Sequence, residues 1–450
     1  GVFWLLVVTG GIWALARARR DLSDRHAVAL ALWTTLLGSW AIRTAQSAPI
    51  VSGDEFIDYA QSALGILTGL RPVELIFPTG WTQLVAVAIA PAVWTSVPSG
   101  VGAEDPALAT HLARALLDVA PYGLVLGRWL STSMLIILAI IMGRALTLRA
   151  GAAAGIYAIG ALILNPHLQP LAARFSPHIP SLCLGWGAVL MLSLGDPKQR
   201  RWAIGAGLAL GYAMGSHGLA VLLVAASLPL WWRHRRVWHL AAVAMLFGVL
   251  CSNPHLFGHW AAYAASLRFR LAEIGTAEAV VDAPNANYAA KLLALPMLLV
   301  GLVMWAVALP MERRLRQWDT LGPVLTGWLM FAALALVRTR YDRYLAWVMP
   351  GLIWAAAQGY GGFARRLRSP KVDALVAGAL ATTALAFYAV PVVSAPCPKG
   401  IHGAQPLAKI AVLRSNAPMV LVTQMPQLGR AVSAGLLAPE IEREVLDELA

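Results

Sequence analysis

Three carboxylates crowd into Ser52-Gly53-Asp54-Glu55-Phe56-Ile57-Asp58-Tyr59, in a chain with only 22 Asp and Glu against 35 Lys and Arg and with 59% hydrophobic residues. An acid beside an apolar segment loses hydration, so it persists where a proton, a metal or a ligand compensates. Asp54 and Glu55 are therefore the first candidates for catalysis, with Tyr59 beside them. A second set is cationic: Arg338, Arg340 and Arg343 in Arg338-Thr339-Arg340-Tyr341-Asp342-Arg343, then Arg174 in Ala172-Ala173-Arg174-Phe175-Ser176-Pro177-His178, with Lys291 behind them. Arginine stays charged near a low-dielectric boundary, and its planar fork grips phosphate oxygens in pairs. A carboxylate to take a proton and arginines to hold a phosphate are the two chemical capacities in view.

Each candidate also has an ordinary role. Asp54 suits the N-cap of a helix starting near Phe56, with Glu55 complementing the helix dipole in the first turn. Asp58, one turn from Asp54, either shares a metal or is simply solvated. Arginines near helix ends snorkel to lipid headgroups, and Tyr344 suits an interfacial aromatic belt. Asn287, in Asn285-Ala286-Asn287-Tyr288, either contacts sugar hydroxyls or caps a helix. The histidines His167, His178, His217, His255 and His259 make a divalent-metal site conceivable, with Asp54 and Glu55 as further ligands. His255 and His259 have the i, i+4 spacing of one helix face but no Glu beside the first, so they do not form an HExxH zinc motif. For any one of these histidines, a polar residue at an interface is the ordinary role.

These residues must be positioned by membrane-spanning helices. A mean hydropathy of +0.66 with 13% charged residues excludes an ordinary soluble domain. With about 20 apolar residues per span, 450 residues accommodate about a dozen spans and a few ordered loops. The net charge of +13 does not indicate nucleic acid, because the basic residues sit in short clusters between apolar runs. Cys183, Cys251 and Cys397 form neither a disulfide framework nor a CxxC site. The apolar stretch from Gly1 to Ala16 precedes Arg17-Ala18-Arg19-Arg20, the reverse of a signal peptide's charge order, and is expected to be a span.

Basic clusters recur at Arg17 to Arg25, Arg144 to Arg149, Lys198 to Arg201, Arg233 to Arg236, Arg313 to Arg316 and Arg365 to Lys371. The positive-inside rule assigns them to the cytoplasm. The loops around Gly53 to Glu74, Asn165 to His178, Ser216 to Leu219, Asn253 to Tyr288 and Val337 to Arg343 then face outward, carrying the candidate residues with them. Parity requires that Gly80 to Val97 either forms a partly re-entrant juxtamembrane helix, the preferred expectation, or pairs with Tyr122 to Leu126 as an extra hairpin. Gly327 to Leu336 and Tyr344 to Ala357 are expected to form a helical hairpin around the arginine turn. The chain should leave the bilayer outward after Pro391, with a short strand at Val420-Leu421-Val422 and a small amphipathic helix at Glu440 to Leu449.

The order of several short motifs resembles the C-type (GT-C) glycosyltransferases, polytopic enzymes that use lipid-phosphate-linked sugars. The carrying residues are Gly53-Asp54-Glu55 with Tyr59 and Ala63 to Gly69, Phe77-Pro78-Thr79-Gly80-Trp81, Ala113-Arg114-Ala115-Leu116, Ser252-Asn253-Pro254-His255, and Arg343-Tyr344-Leu345 with Met349-Pro350. The protein O-mannosyltransferase and lipid A aminoarabinose transferase branches are the most similar. Thr79-Gly80 departs from the proline-rich turn of relatives.

The resemblance implies an all-α polytopic GT-C fold with about 11 to 13 spans, extracytoplasmic juxtamembrane helices and a small extracytoplasmic C-terminal segment. Residues 1–392 would form the transmembrane domain, 52–112 its first outer loop, and 393–450 the C-terminal segment. It implies a hexosyl- or pentosyltransferase of the inner membrane with its site on the extracytoplasmic face. The donor would be a polyprenyl-phosphate sugar and the acceptor a lipid, glycan or protein, with membrane lipids as neighbours and no nucleic acid. Asp54 would be the base of an inverting reaction, with Glu55 placing the acceptor or a metal. Arg343, then Arg174, Arg340, Arg338 and Lys291, would bind donor phosphate, with Tyr59, Tyr344 and Asn287 in the pocket. The cofactor stays open, a divalent cation being the one these residues suit. A transporter or flippase of a lipid-linked or polar substrate, and a non-catalytic scaffold of the same fold, are the alternatives. No paired inverted halves support transport.

Overall fold

Long runs of Ala, Leu, Val and Ile without charge form helices here because a helix satisfies every backbone group within its own segment. The computed structural model describes residues 33–38, 41, 81, 83, 86–87, 90, 108–174, 177–253, 287–336, 342–366, 379, 411–412 and 421–422, and of 108–125 the helix alone. The helices are α1 (Leu108–Ala150), α2 (Ala152–Ile163), α3 (Gln169–Ala172), α4 (His178–Leu194), α5 (Arg200–Met214), α6 (Ala220–Ala226), α7 (Leu228–Arg233), α8 (Trp238–Ser252), α9 (Tyr288–Leu293), α10 (Pro296–Ala308), α11 (Trp318–Leu336) and α12 (Met349–Arg366). Short 3-10 turns cover Arg313–Arg316 and Asp342–Trp347. β1 (Ala411–Val412) pairs antiparallel with β2 (Leu421–Val422). The expected strand at 420–422 is thus present at its last two residues, with an unforeseen partner.

The chain divides into two compact units, one comprising 1–46, 75–81 and 128–395 and the other 47–74, 82–127 and 396–450. All helices from α2 to α12 belong to the first unit, and the β1–β2 pair to the second.

Two stretches, Leu126–Ala150 and Trp318–Leu336, are long and apolar enough to cross a membrane, and α2, α4, α8 and α10 are shorter apolar helices. Their outward faces carry Val243, Leu246 and Phe247 on α8 and Val300, Val303 and Val307 on α10, all exposed. These i, i+3, i+4 stripes would be unfavourable in water and match lipid. Residues 122–126 lie inside the continuous α1, not in a separate hairpin limb. The described residues of the 80–97 stretch, 81, 83, 86, 87 and 90, are helical. The Glu440 to Leu449 helix lies outside the described residues.

α12 is the buried centre of the first unit: Leu352, Ile353, Trp354, Ala355, Ala356 and Ala357 are fully enclosed. It packs on α10, α2 and α11. Small residues bring these backbones together, since a Cβ on Gly351 would meet the Gly327 Cα at 2.7 Å and one on Gly359 would meet the Gly301 carbonyl at 2.2 Å. α5 and α8 use the same device, with Gly207 against the Ala241 carbonyl and Gly211 against that of Met245.

One end of the first unit gathers the basic clusters. Arg149 pairs with Asp319 at 3.3 Å, and Arg365 donates to the Arg149 carbonyl and pairs with Glu312 at 3.3 Å. Arg233 donates to the Ser193 carbonyl, and His234 Nε2 lies 2.9 Å from the Leu192 carbonyl. Cationic groups here meet unsatisfied carbonyls at helix C-termini, where the helix dipole favours them.

Candidate functional site

The opposite end of α4, roughly 25 Å away for a helix of its length, begins at His178. That side chain is buried, and its ring lies 4.1 Å, centroid to centroid, from the ring of His217. The His217 ring in turn lies 5.5 Å from that of Trp347. The charges of Arg343 and Arg174 both act on His178, and that of Arg343 also acts on His217. Two arginines selected from distant loops are thus electrostatic neighbours of His178, and one of them, Arg343, of His217 as well.

Each member is held by its own local structure. Arg174 follows the single turn α3, whose Ala172 carbonyl accepts a 2.9 Å hydrogen bond from the buried Thr132 hydroxyl of α1. Upstream, the Asn165 side chain accepts from the His167 N–H at 2.9 Å, closing the start of this loop. His178 follows Pro177 directly at the start of α4.

His217 sits in the turn after α5, its N–H donating to the Ala213 carbonyl at 2.9 Å. Asn253, at the end of α8, donates from its amide to the Gly215 carbonyl at 2.9 Å and so fixes this turn from the neighbouring helix. The motif Ser252-Asn253-Pro254-His255 therefore contributes a brace at its described part; His255 and His259 lie outside the described residues.

Arg343 and Tyr344 lie on the 3-10 turn Asp342–Trp347 and not at the start of the following helix, as the resemblance implied. Pro350 is the physical reason. It lacks a donor and restricts the residue before it, so it fits the first turn of α12, which starts at Met349, but not a helix running in from Tyr344. The 3-10 turn is anchored by Trp186 of α4, whose Nε1 donates to the Trp347 carbonyl at 2.8 Å. Leu345, Ala346 and Trp347 are fully buried, while Arg343 is exposed, its guanidinium 5.9 Å from the centre of the half-buried Tyr344 ring. The expected hairpin is present, α11 packing on α12 through Gly327 and Gly351.

Other candidates take different places. Asn287 is the N-cap of α9, its side-chain oxygen accepting from the Ala290 N–H at 3.0 Å, which is the capping role. Lys291 is exposed on α9, and its charge is not among those acting on His178 or His217. Asp54, Glu55, Tyr59, Arg338 and Arg340 lie outside the described residues. Among the described residues, no three His, Cys, Asp or Glu side chains are grouped to hold a metal ion.

His178 and His217 were among the candidate histidines of the sequence, but their pairing was not legible there. One followed a proline and the other sat in Gly215-Ser216-His217-Gly218, and nothing in their spacing pairs them. Burial, and next the nearby Arg343 charge, lower the His217 pKa from 6.5 to about 3, because both disfavour a second cation. The arrangement places a neutral histidine in the field of Arg343.

No family model and no curated protein matches the chain. Among solved structures, ArnT from Cupriavidus metallidurans in the apo state is similar with a TM-score of 0.50 at 15% identity, over 90% of this chain and 68% of that one. The same protein bound to undecaprenyl phosphate aligns with a TM-score of 0.49 at 18% identity, over 83% of this chain and 67% of that one. The chain accordingly shares the fold of that solved structure.

Proposed function

We propose that this chain is an integral membrane glycosyltransferase that moves a sugar from a polyprenyl-phosphate donor to a lipid, glycan or protein acceptor on the extracytoplasmic face. The observation that carries this reading is the packed His178–His217 pair at the start of α4, with Arg343 an electrostatic neighbour of both rings and Arg174 of His178. The histidine pair lies at the end of α4 remote from the Arg233 cluster. That separation supports an outward-facing site in the inner membrane if the basic clusters are cytoplasmic. The shared fold and the resemblance to GT-C enzymes support the reaction class.

In this mechanism Asp54 takes the proton of the acceptor hydroxyl or amine as its oxygen or nitrogen bonds to the anomeric carbon. The bond from that carbon to the phosphate oxygen breaks on the opposite face, inverting the centre. The electron pair leaves on the phosphate, whose charge Arg343 and Arg174 stabilise, with Arg340, Arg338 and Lys291 as further cations. Glu55 places the acceptor or a divalent cation, and Tyr59 and Tyr344 line the pocket.

The test is transfer of radiolabelled sugar from a panel of polyprenyl-phosphate donors to membrane-extract acceptors, with the wild type beside Asp54→Asn. Transfer should fall by about a hundredfold or more in the variant while fold and donor binding persist. Equal transfer by both proteins discards Asp54 as the base. A folded wild type that transfers from no donor shifts the assignment to a transporter or a scaffold.

A further inference from the structure

His217 receives a hydrogen bond on a specific nitrogen: the Leu219 backbone N–H donates to Nδ1 at 3.1 Å. Nδ1 therefore presents its lone pair inward, and the proton of the neutral ring sits on Nε2. Among the described residues nothing accepts from Nε2. His217 as a residue is half-buried, and its ring packs near those of His178 and Trp347. The Trp347 side chain is itself fully buried with its Nε1–H unpartnered among the described residues. An N–H donor without an acceptor among the described residues, in the field of Arg343, suits an anionic oxygen.

We propose that His217 binds the phosphate of the ligand as a neutral donor, its Nε2–H directed at a phosphate oxygen that Arg343 also holds. This deepens the donor-binding reading above and rests on it. A neutral imidazole adds a directed hydrogen bond without adding a third positive charge to the Arg174–Arg343 neighbourhood, where a cation would be repelled. The groups facing it are His178, Arg343 and Trp347, and the low pKa of His217 keeps the donor form in place at neutral and mildly acidic pH.

The full-length protein, 15N-labelled at histidine, should show His217, assigned by its loss in His217→Gln, protonated on Nε2 and unprotonated on Nδ1 from pH 8 to pH 5. Undecaprenyl phosphate should move the Nε2 resonance. It should bind His217→Gln, which keeps an N–H donor, within a few-fold of wild type, and His217→Phe about tenfold more weakly. A proton on Nδ1, titration near 6.5, or undiminished binding by His217→Phe would overturn the proposal. If His217→Phe does not fold, the wild-type resonances and His217→Gln binding decide it. A shift with inorganic phosphate but none with undecaprenyl phosphate keeps His217 as a phosphate donor and removes the lipid-linked donor reading. No shift with either removes the proposal.

Discussion

Trp186 and Trp347 are joined by a 2.8 Å hydrogen bond from the indole of the first to the backbone carbonyl of the second. Both side chains are fully buried, and the bond ties α4, which begins at His178, to the turn that carries Arg343. This bond is thus one of the contacts that hold the two halves of the candidate site together.

Trp186→Phe removes that donor and leaves the Trp347 carbonyl buried without it, at a cost of about 1–3 kcal/mol. The expected outcome is a lower midpoint of thermal unfolding in detergent together with weaker undecaprenyl-phosphate binding, because Arg343 loses its anchor. A lower midpoint with unchanged binding would separate the anchor from the site.

Arg343→Gln should weaken undecaprenyl-phosphate binding by about tenfold or more, and Arg174→Gln by less, since the charge of Arg343 reaches both histidines and that of Arg174 only His178. Arg343→Lys should recover only part of the loss, because an ammonium does not reproduce the paired geometry. Binding isotherms of the three variants at one ionic strength check this order.

His217 binds fewer protons folded than unfolded, since its pKa falls from 6.5 to about 3 on folding. Stability derived from the neutral ring is therefore complete above about pH 6.5 and is lost as pH falls from there toward 3. His234, lowered chiefly by burial and partly restored by its bond to the Leu192 carbonyl, contributes in the same sense. Denaturant midpoints at pH 7.5 and pH 4.5 should converge in His217→Gln relative to the wild type.

Gly211→Val should destabilise the protein strongly, because a Cβ there would stand 2.0 Å from the Met245 carbonyl and 2.9 Å from its Cα. Backbone cannot step aside as a side chain can, so α5 and α8 must part, at about 1–3 kcal/mol or more. Asp319→Asn provides the contrast: its bond to Arg149 is part-exposed on both sides and should be worth less than about 1 kcal/mol. Thermal unfolding of the two variants side by side measures the difference.

The sequence by itself determined the solvent. Apolar runs broken by arginine clusters dictate membrane helices, because hydrocarbon admits few charges and every backbone group must be satisfied within its segment. Arg343 and Arg174 were legible as phosphate candidates because they lie outside the basic clusters that the positive-inside rule assigns to the cytoplasm. Asn287 was legible as a cap, because a short amide side chain before a helix has a local partner within three residues. Tertiary structure alone decided that His178 meets His217, that Trp186 anchors the arginine turn and that Asn253 braces the histidine turn. Such pairings leave no periodic trace in the chain. They depend on how closely glycine-faced helices approach, and that distance is set by packing between segments far apart in sequence.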